Sequence, residues 1–86
     1  MDIIKVSSRS VPKSVAGAIA ASVRENGCTE VQAVGAGAVN QAVKAIAITR
    51  VFFSEENEEI VCKPAFAELE VNGEEKTGIN FIVEKM

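Results

Sequence analysis

Gly35-Ala36-Gly37 stands between an apolar run and a helical pattern, where it would set backbone N–H groups and a helix N-terminus beside a phosphate. Asn40, Gln41 and Lys44 follow at helical spacing and add amide and ammonium donors. A dinucleotide fingerprint needs a third glycine where Asn40 stands, and a P-loop needs a Gly-Lys-Ser/Thr that is absent. Two readings stay open: a tight strand-to-helix turn whose small residues permit close packing, or an anion site, with nucleic-acid phosphate or a nucleotide as its ligand. A second group of bases, Lys5, Arg9 and Lys13, surrounds the earlier strand-to-helix link. Both links leave the C-terminal edge of the sheet, where open α/β folds gather their binding loops.

The chain has no histidine. That excludes a Ser-His-Asp triad, a Cys-His pair and the common zinc sites. Glu55, Glu56, Glu58 and Glu59 form a run that reads as a solvated connection, and nothing brings two of them into the shielded cleft that glycosidase chemistry needs. Cys28 follows Gly27 at a helix C-terminus, an end whose partial negative charge disfavours a thiolate. Cys28 and Cys62 read as reduced thiols in a compartment without disulfides. The expectation is a non-enzymatic protein with no catalytic residue, metal or cofactor.

Its 86 residues are enough for one domain spanning 1–86 with a thin core. The apolar content is mostly Ala, Val and Ile, with four Phe and no Trp or Tyr, which suits tight helix-to-sheet layers better than a wide cavity. Apolar runs are cut well short of the roughly 18 residues of a membrane span, and Met1-Asp2-Ile3-Ile4-Lys5 enters a strand pattern without a basic, apolar leader. A cytoplasmic protein with no membrane partner is expected. The net charge of −3 conceals a division: Lys5, Arg9, Lys13, Arg24, Lys44 and Arg50 face only three acids through Arg50, whereas Lys63, Lys76 and Lys85 face nine acids beyond it. A chain polarised in this way can present one basic face despite its acidic total.

These residues must be positioned by short elements. Ile3 to Val6 reads as a strand, and Ser7-Ser8-Arg9-Ser10 links it to a helix with Ser10 as N-cap, Pro12 in the first turn and Asn26-Gly27 as the stop. Val15, Ala18, Ile19, Ser22 and Val23 mark the inner face of that helix, with Lys13, Ala20 and Arg24 opposite. Val31 and Ala33-Val34 form a second strand, parallel to the first through a right-handed crossover. A helix from Ala38 to about Val51 carries an apolar stripe of Val39, Ala42, Val43 and Ile46. Ile48, Val51 and Phe52 fall off this stripe and are the candidate oligomer interface. Strands at Ile60 to Val71 and Lys76 to Val83 flank Asn72-Gly73, a type I′ hairpin signal, and Pro64 places the first at an edge or a bulge. The fold class is α/β, an α+β sandwich in the order β-α-β-α-β-β with one mixed four-stranded sheet and two helices on one face.

Three stretches carry a resemblance: Lys5-Val6-Ser7 with Ser14-Val15-Ala16-Gly17-Ala18, then EVQAVGAGAVNQAVKAIAITR from Glu30 to Arg50, and KPAF from Lys63 to Phe66. With these the chain resembles the bacterial stage V sporulation protein S family, which looks like the archaeal chromatin protein Alba in fold. Alba-like proteins form dimers and bind DNA or RNA. The resemblance implies a nucleic-acid-binding regulator of sporulation or developmental gene expression, a homodimer or higher homo-oligomer. The resemblance places nucleic-acid contacts in the first strand-to-helix link, where Arg9 and Lys13 stand; with the residues singled out above, the candidate nucleic-acid-binding set is Lys5, Arg9, Lys13, Gly37, Asn40, Gln41 and Lys44. Alba's second basic contact has no counterpart in Gly35-Ala36-Gly37. The alternative is a protein-interaction and assembly module of the sporulation programme that does not touch nucleic acid.

Overall fold

The computed structural model describes residues 2–86. It contains β1 (Ile3–Val6), α1 (Pro12–Asn26), β2 (Cys28–Ala33), α2 (Ala36–Ser54), β3 (Ile60–Val71) and β4 (Glu74–Lys85). β1 and β2 are parallel, from Ile3 opposite Glu30 to Val6 opposite Ala33. β4 lies between β2 and β3, antiparallel to both, so the sheet order is β1-β2-β4-β3. This is the expected mixed sheet. Its inner face buries Val6, Thr29, Val31, Ala33, Phe81 and Val83 beneath the two helices. The outer face carries half-buried Cys28, Glu30 and Gln32, as the two-residue period of a strand requires.

α1 begins differently from the sequence reading. Val11 is the N-cap and makes no side-chain cap. The Ser7 backbone N–H instead donates to Ser10 Oγ at 2.9 Å, and the Ser10 N–H donates to the Ser7 carbonyl at 3.1 Å. Pro12 at the start of the helix has no N–H to offer Ser10, so the hydroxyl turns back to close the preceding link. At the other end Gly27 takes a left-handed conformation, φ 83°, and donates to the Val23 carbonyl as the Gly stop predicts.

The buried faces of the helices are made of smaller residues than expected. Ala20 is 2% exposed and lies inside, while Ala18 faces solvent. On α2 the fully enclosed line is Ala38, Ala42, Ala45, Thr49 and Phe53, whereas Val43 is 50% exposed. Of the expected stripe Val39, Ala42, Val43 and Ile46, Ala42 is fully buried and Val39 and Ile46 pack against the core, while Val43 turns outward. Close approach of two helices and a sheet selects alanine instead, and the larger residues are displaced to the margins. Two bonds tie α2 to the preceding segment at two levels: Gln41 Nε2 donates to the Ser10 carbonyl of the link at 2.9 Å, and Thr49 Oγ1 to the Ala16 carbonyl of α1 at 3.3 Å. No helix is long and apolar enough to cross a membrane among the described residues.

β2 pairs with β4 only from Cys28 opposite Glu84 to Ala33 opposite Ile79. Beyond Gly78, β3 and β4 continue alone as a two-stranded arm to the turn at Asn72 and Gly73, with φ of 53° and 80°. A Cβ at Gly78 would lie 2.8 Å from the Ala33 carbonyl, so glycine allows the arm to leave the sheet. β3 is an edge strand, which accommodates Pro64.

Phe53 is the largest fully buried side chain, with the Arg24 guanidinium 4.9 Å above its ring. Phe53→Ala should lower the unfolding free energy by about 3–5 kcal/mol, read by urea denaturation, because the thin layer around it cannot collapse into the space.

Candidate functional site

The Ser7–Ser10 link is built tightly. Besides its two reciprocal bonds, the Arg9 backbone N–H donates to Ser7 Oγ at 3.2 Å. The link is also pressed against α2, since a Cβ on Gly37 would meet Ser8 Cβ at 2.9 Å. Gly37, Asn40, Gln41 and Lys44 follow at intervals of three and four residues and share one face of α2. Gly37 touches Ser8 and Gln41 holds Ser10, so this face looks onto the link and the first turn of α1, where Arg9 and Lys13 stand exposed. The structure therefore brings Arg9, Lys13, Gly37, Asn40, Gln41 and Lys44 to one edge. Gln41 has a structural duty there, because its amide is committed to the Ser10 carbonyl.

Lys5 lies apart from them. It is paired in register with Gln32, one of the residues of the helix-free face, and both line a cleft of about 580 Å³. The cleft runs between β1, the link, the Gly35–Gly37 turn and the arm. Gly37 thus borders both regions. Gly35 caps α2 with φ 92°, a conformation that glycine adopts freely.

The distribution of charge divides the molecule. Arg24 pairs with Glu56, Arg50 with Glu59, Lys85 with Glu58 and Lys63 with Glu84. The acidic connection after α2 therefore holds cations rather than being merely solvated. Among the described residues Lys5, Arg9, Lys13 and Lys44, together with Lys76 on the arm, have no ion-pair partner.

Of the residues expected to mediate assembly, Val51 is 57% exposed, while Ile48 and Phe52 lie half-buried against the core. Sequence reasoning missed Phe66, which is 81% exposed on the edge strand. It shares the inner side of β3 with Cys62 and Pro64, past the reach of α2. Val43, Ile46 and Ala47 of α2 and Val61 and Cys62 of β3 line an adjoining hollow. The available signal was the two-residue spacing of Cys62, Pro64 and Phe66 on a strand that proline had already assigned to an edge.

Comparison with known proteins agrees with this architecture. A family model described as Stage V sporulation protein S (SpoVS) matches residues 2–86. Among solved structures, Alba from Thermoplasma volcanium superposes with a TM-score of 0.61 over 96% of this chain and 96% of that one, at 16% identity. At that identity the likeness is one of fold.

The Gln41 bond gives the edge a simple check. Gln41→Ala should cost about 1 kcal/mol of stability and speed amide hydrogen exchange at the Ser7–Ser10 link, leaving exchange in β4 unchanged except through the global term.

Proposed function

The chain belongs to the stage V sporulation protein S family, and from that premise we propose that it serves sporulation by binding nucleic acid, as a homodimer in the cytoplasm, without a reaction of its own. The observation that carries the reading is the separation of the cations. Arg24, Arg50, Lys63 and Lys85 are occupied by carboxylates, whereas Arg9, Lys13 and Lys44 stand unpaired around the link and Lys5 at the neighbouring cleft; Lys76 is also unpaired but stands among the glutamates of the arm. Unpaired cations beside small residues and amide donors suit a phosphate chain, whose binding releases counterions. Hydrogen bonds from the tightly closed link would hold Arg9 at low entropic cost.

A second copy is the occupant that suits the exposed apolar surface. Phe66 and Pro64 on β3 and the hollow between α2 and β3 leave a strip of apolar surface along that strand, and Val51 is exposed on α2. A domain this small has little core of its own and gains from covering such a strip. The same strip is what favours the second reading, an assembly module that binds only protein.

Fluorescence anisotropy with short DNA and RNA at rising salt should show affinity falling linearly on a log–log scale. Arg9→Glu combined with Lys13→Glu should abolish binding at moderate salt while the fold persists. Affinity that ignores salt, or that survives the double reversal, removes this reading. Val51→Glu with Phe66→Glu should halve the mass seen by light scattering; an unchanged mass would place the oligomer contact elsewhere.

A further inference from the structure

The cleft beside Lys5 has a chemistry that phosphate binding does not require. Its 580 Å³ falls within the range of about 300–1,000 Å³ common to small-ligand sites. Val34, Leu69 and Val71 give it apolar walls from two sides, the end of β2 and the arm. Lys5, Ser8 and Gln32 add polar groups, and Glu70 of the arm also lines the cleft, a carboxylate that can accept from the amino groups of a base. Among the described residues neither the Ser8 hydroxyl nor the Gln32 amide has a hydrogen-bond partner, and Lys5 has no carboxylate. A flat ligand with apolar faces, a hydrogen-bonding edge and an attached anion satisfies all of these at once.

Resting on the nucleic-acid reading, we propose that this cleft receives an unpaired base, so that the preferred ligand is a single strand and not a duplex. In a duplex the base faces are hidden in the stack, and the cleft would have nothing to bind. The arm argues the same way. It carries Glu68, Glu70, Glu74 and Glu75 against Lys76 alone. A two-stranded ribbon has the dimensions to enter a major groove, yet this one would bring four carboxylates against a duplex that carries one charge per about 1.7 Å of axis. In a single strand the base turns toward the apolar side of the arm while its phosphates pass Lys5 and Arg9, and of the arm's glutamates only Glu70 lines the cleft. Ser8 precedes Arg9 directly, so the residue that meets the base edge and the one that meets the phosphate are neighbours in the closed link. Apolar walls holding a base by its faces, with polar groups reading its edge, are the general means by which proteins seat extruded bases.

The test uses the whole chain and labelled oligonucleotides in anisotropy: single strands of DNA and of RNA, the same strands with abasic sites, and the same sequences as duplexes. Intact single strands should bind more tightly than duplexes, and abasic strands should lose about tenfold or more. Val71→Glu and Gln32→Ala should each reduce the preference for intact over abasic strands, with an unchanged unfolding midpoint as the control. The comparison of DNA with RNA identifies which strand is preferred. Equal affinity for intact and abasic strands overturns the base pocket and leaves phosphate binding standing, as does a duplex bound at least as well. Absence of binding to every ligand overturns the pocket and the nucleic-acid reading together.

Discussion

The close approach of α1 to α2 is the constraint on which the rest of the molecule depends. Ala16, Ala20, Ala42 and Ala45 are all essentially buried, and Thr49 spans the contact with bonds to the Ala45 carbonyl at 2.9 Å and the Ala16 carbonyl at 3.3 Å. Side chains this small bring the helices near enough for Gln41 to reach the Ser10 carbonyl and for Gly37 to sit against Ser8. The two strand-to-helix links therefore lie together because of a packing requirement many residues away. A leucine in place of any of these alanines would separate the helices and open the edge they position.

That edge stays cationic because other cations are used elsewhere. Four ion pairs tie the connection after α2 and the ends of the hairpin strands to Arg24, Arg50, Lys63 and Lys85. All four pairs are substantially exposed and contribute little stability. Their larger effect is on the field: they neutralise the acids nearest the core and leave the arm negative and the links positive. An acidic chain can then carry a local basic edge, as the unequal division of charge along the sequence anticipates.

What was legible in the sequence follows from how local the responsible physics is. Asn72-Gly73 announced its hairpin, and Gly27 its helix stop, because left-handed backbone is a property of one or two residues. Pro64 announced an edge strand for a similar reason. Ser10 misled because whether a hydroxyl caps forward or closes backward depends on the missing N–H of Pro12 and on the course of the link. The stripe of α2 misled because hydrophobicity ranks valine above alanine, while the helix–helix distance ranks them the other way. On the site, spacing alone placed Gly37, Asn40, Gln41 and Lys44 on one face, but nothing local indicated that Gln41 is bound to Ser10. Nor did it indicate that Lys5 belongs to a separate cleft walled by the arm, since that wall is contributed by residues more than half the chain away.

The arm shows why shared fold and shared ligand mode are different questions. A likeness of fold at 16% identity carries the course of the backbone, which in this chain follows from strand pairing and from small residues at contacts. It does not carry the side chains that the hairpin displays. In this chain four glutamates occupy the ribbon, and Leu69, Glu70 and Val71 line the cleft beside Lys5. On the proposed reading such a ribbon would be repelled by a duplex, so a shared fold does not settle how it meets a ligand. On that reading, charge on the arm, rather than the architecture that projects it, would set the class of ligand the molecule accepts.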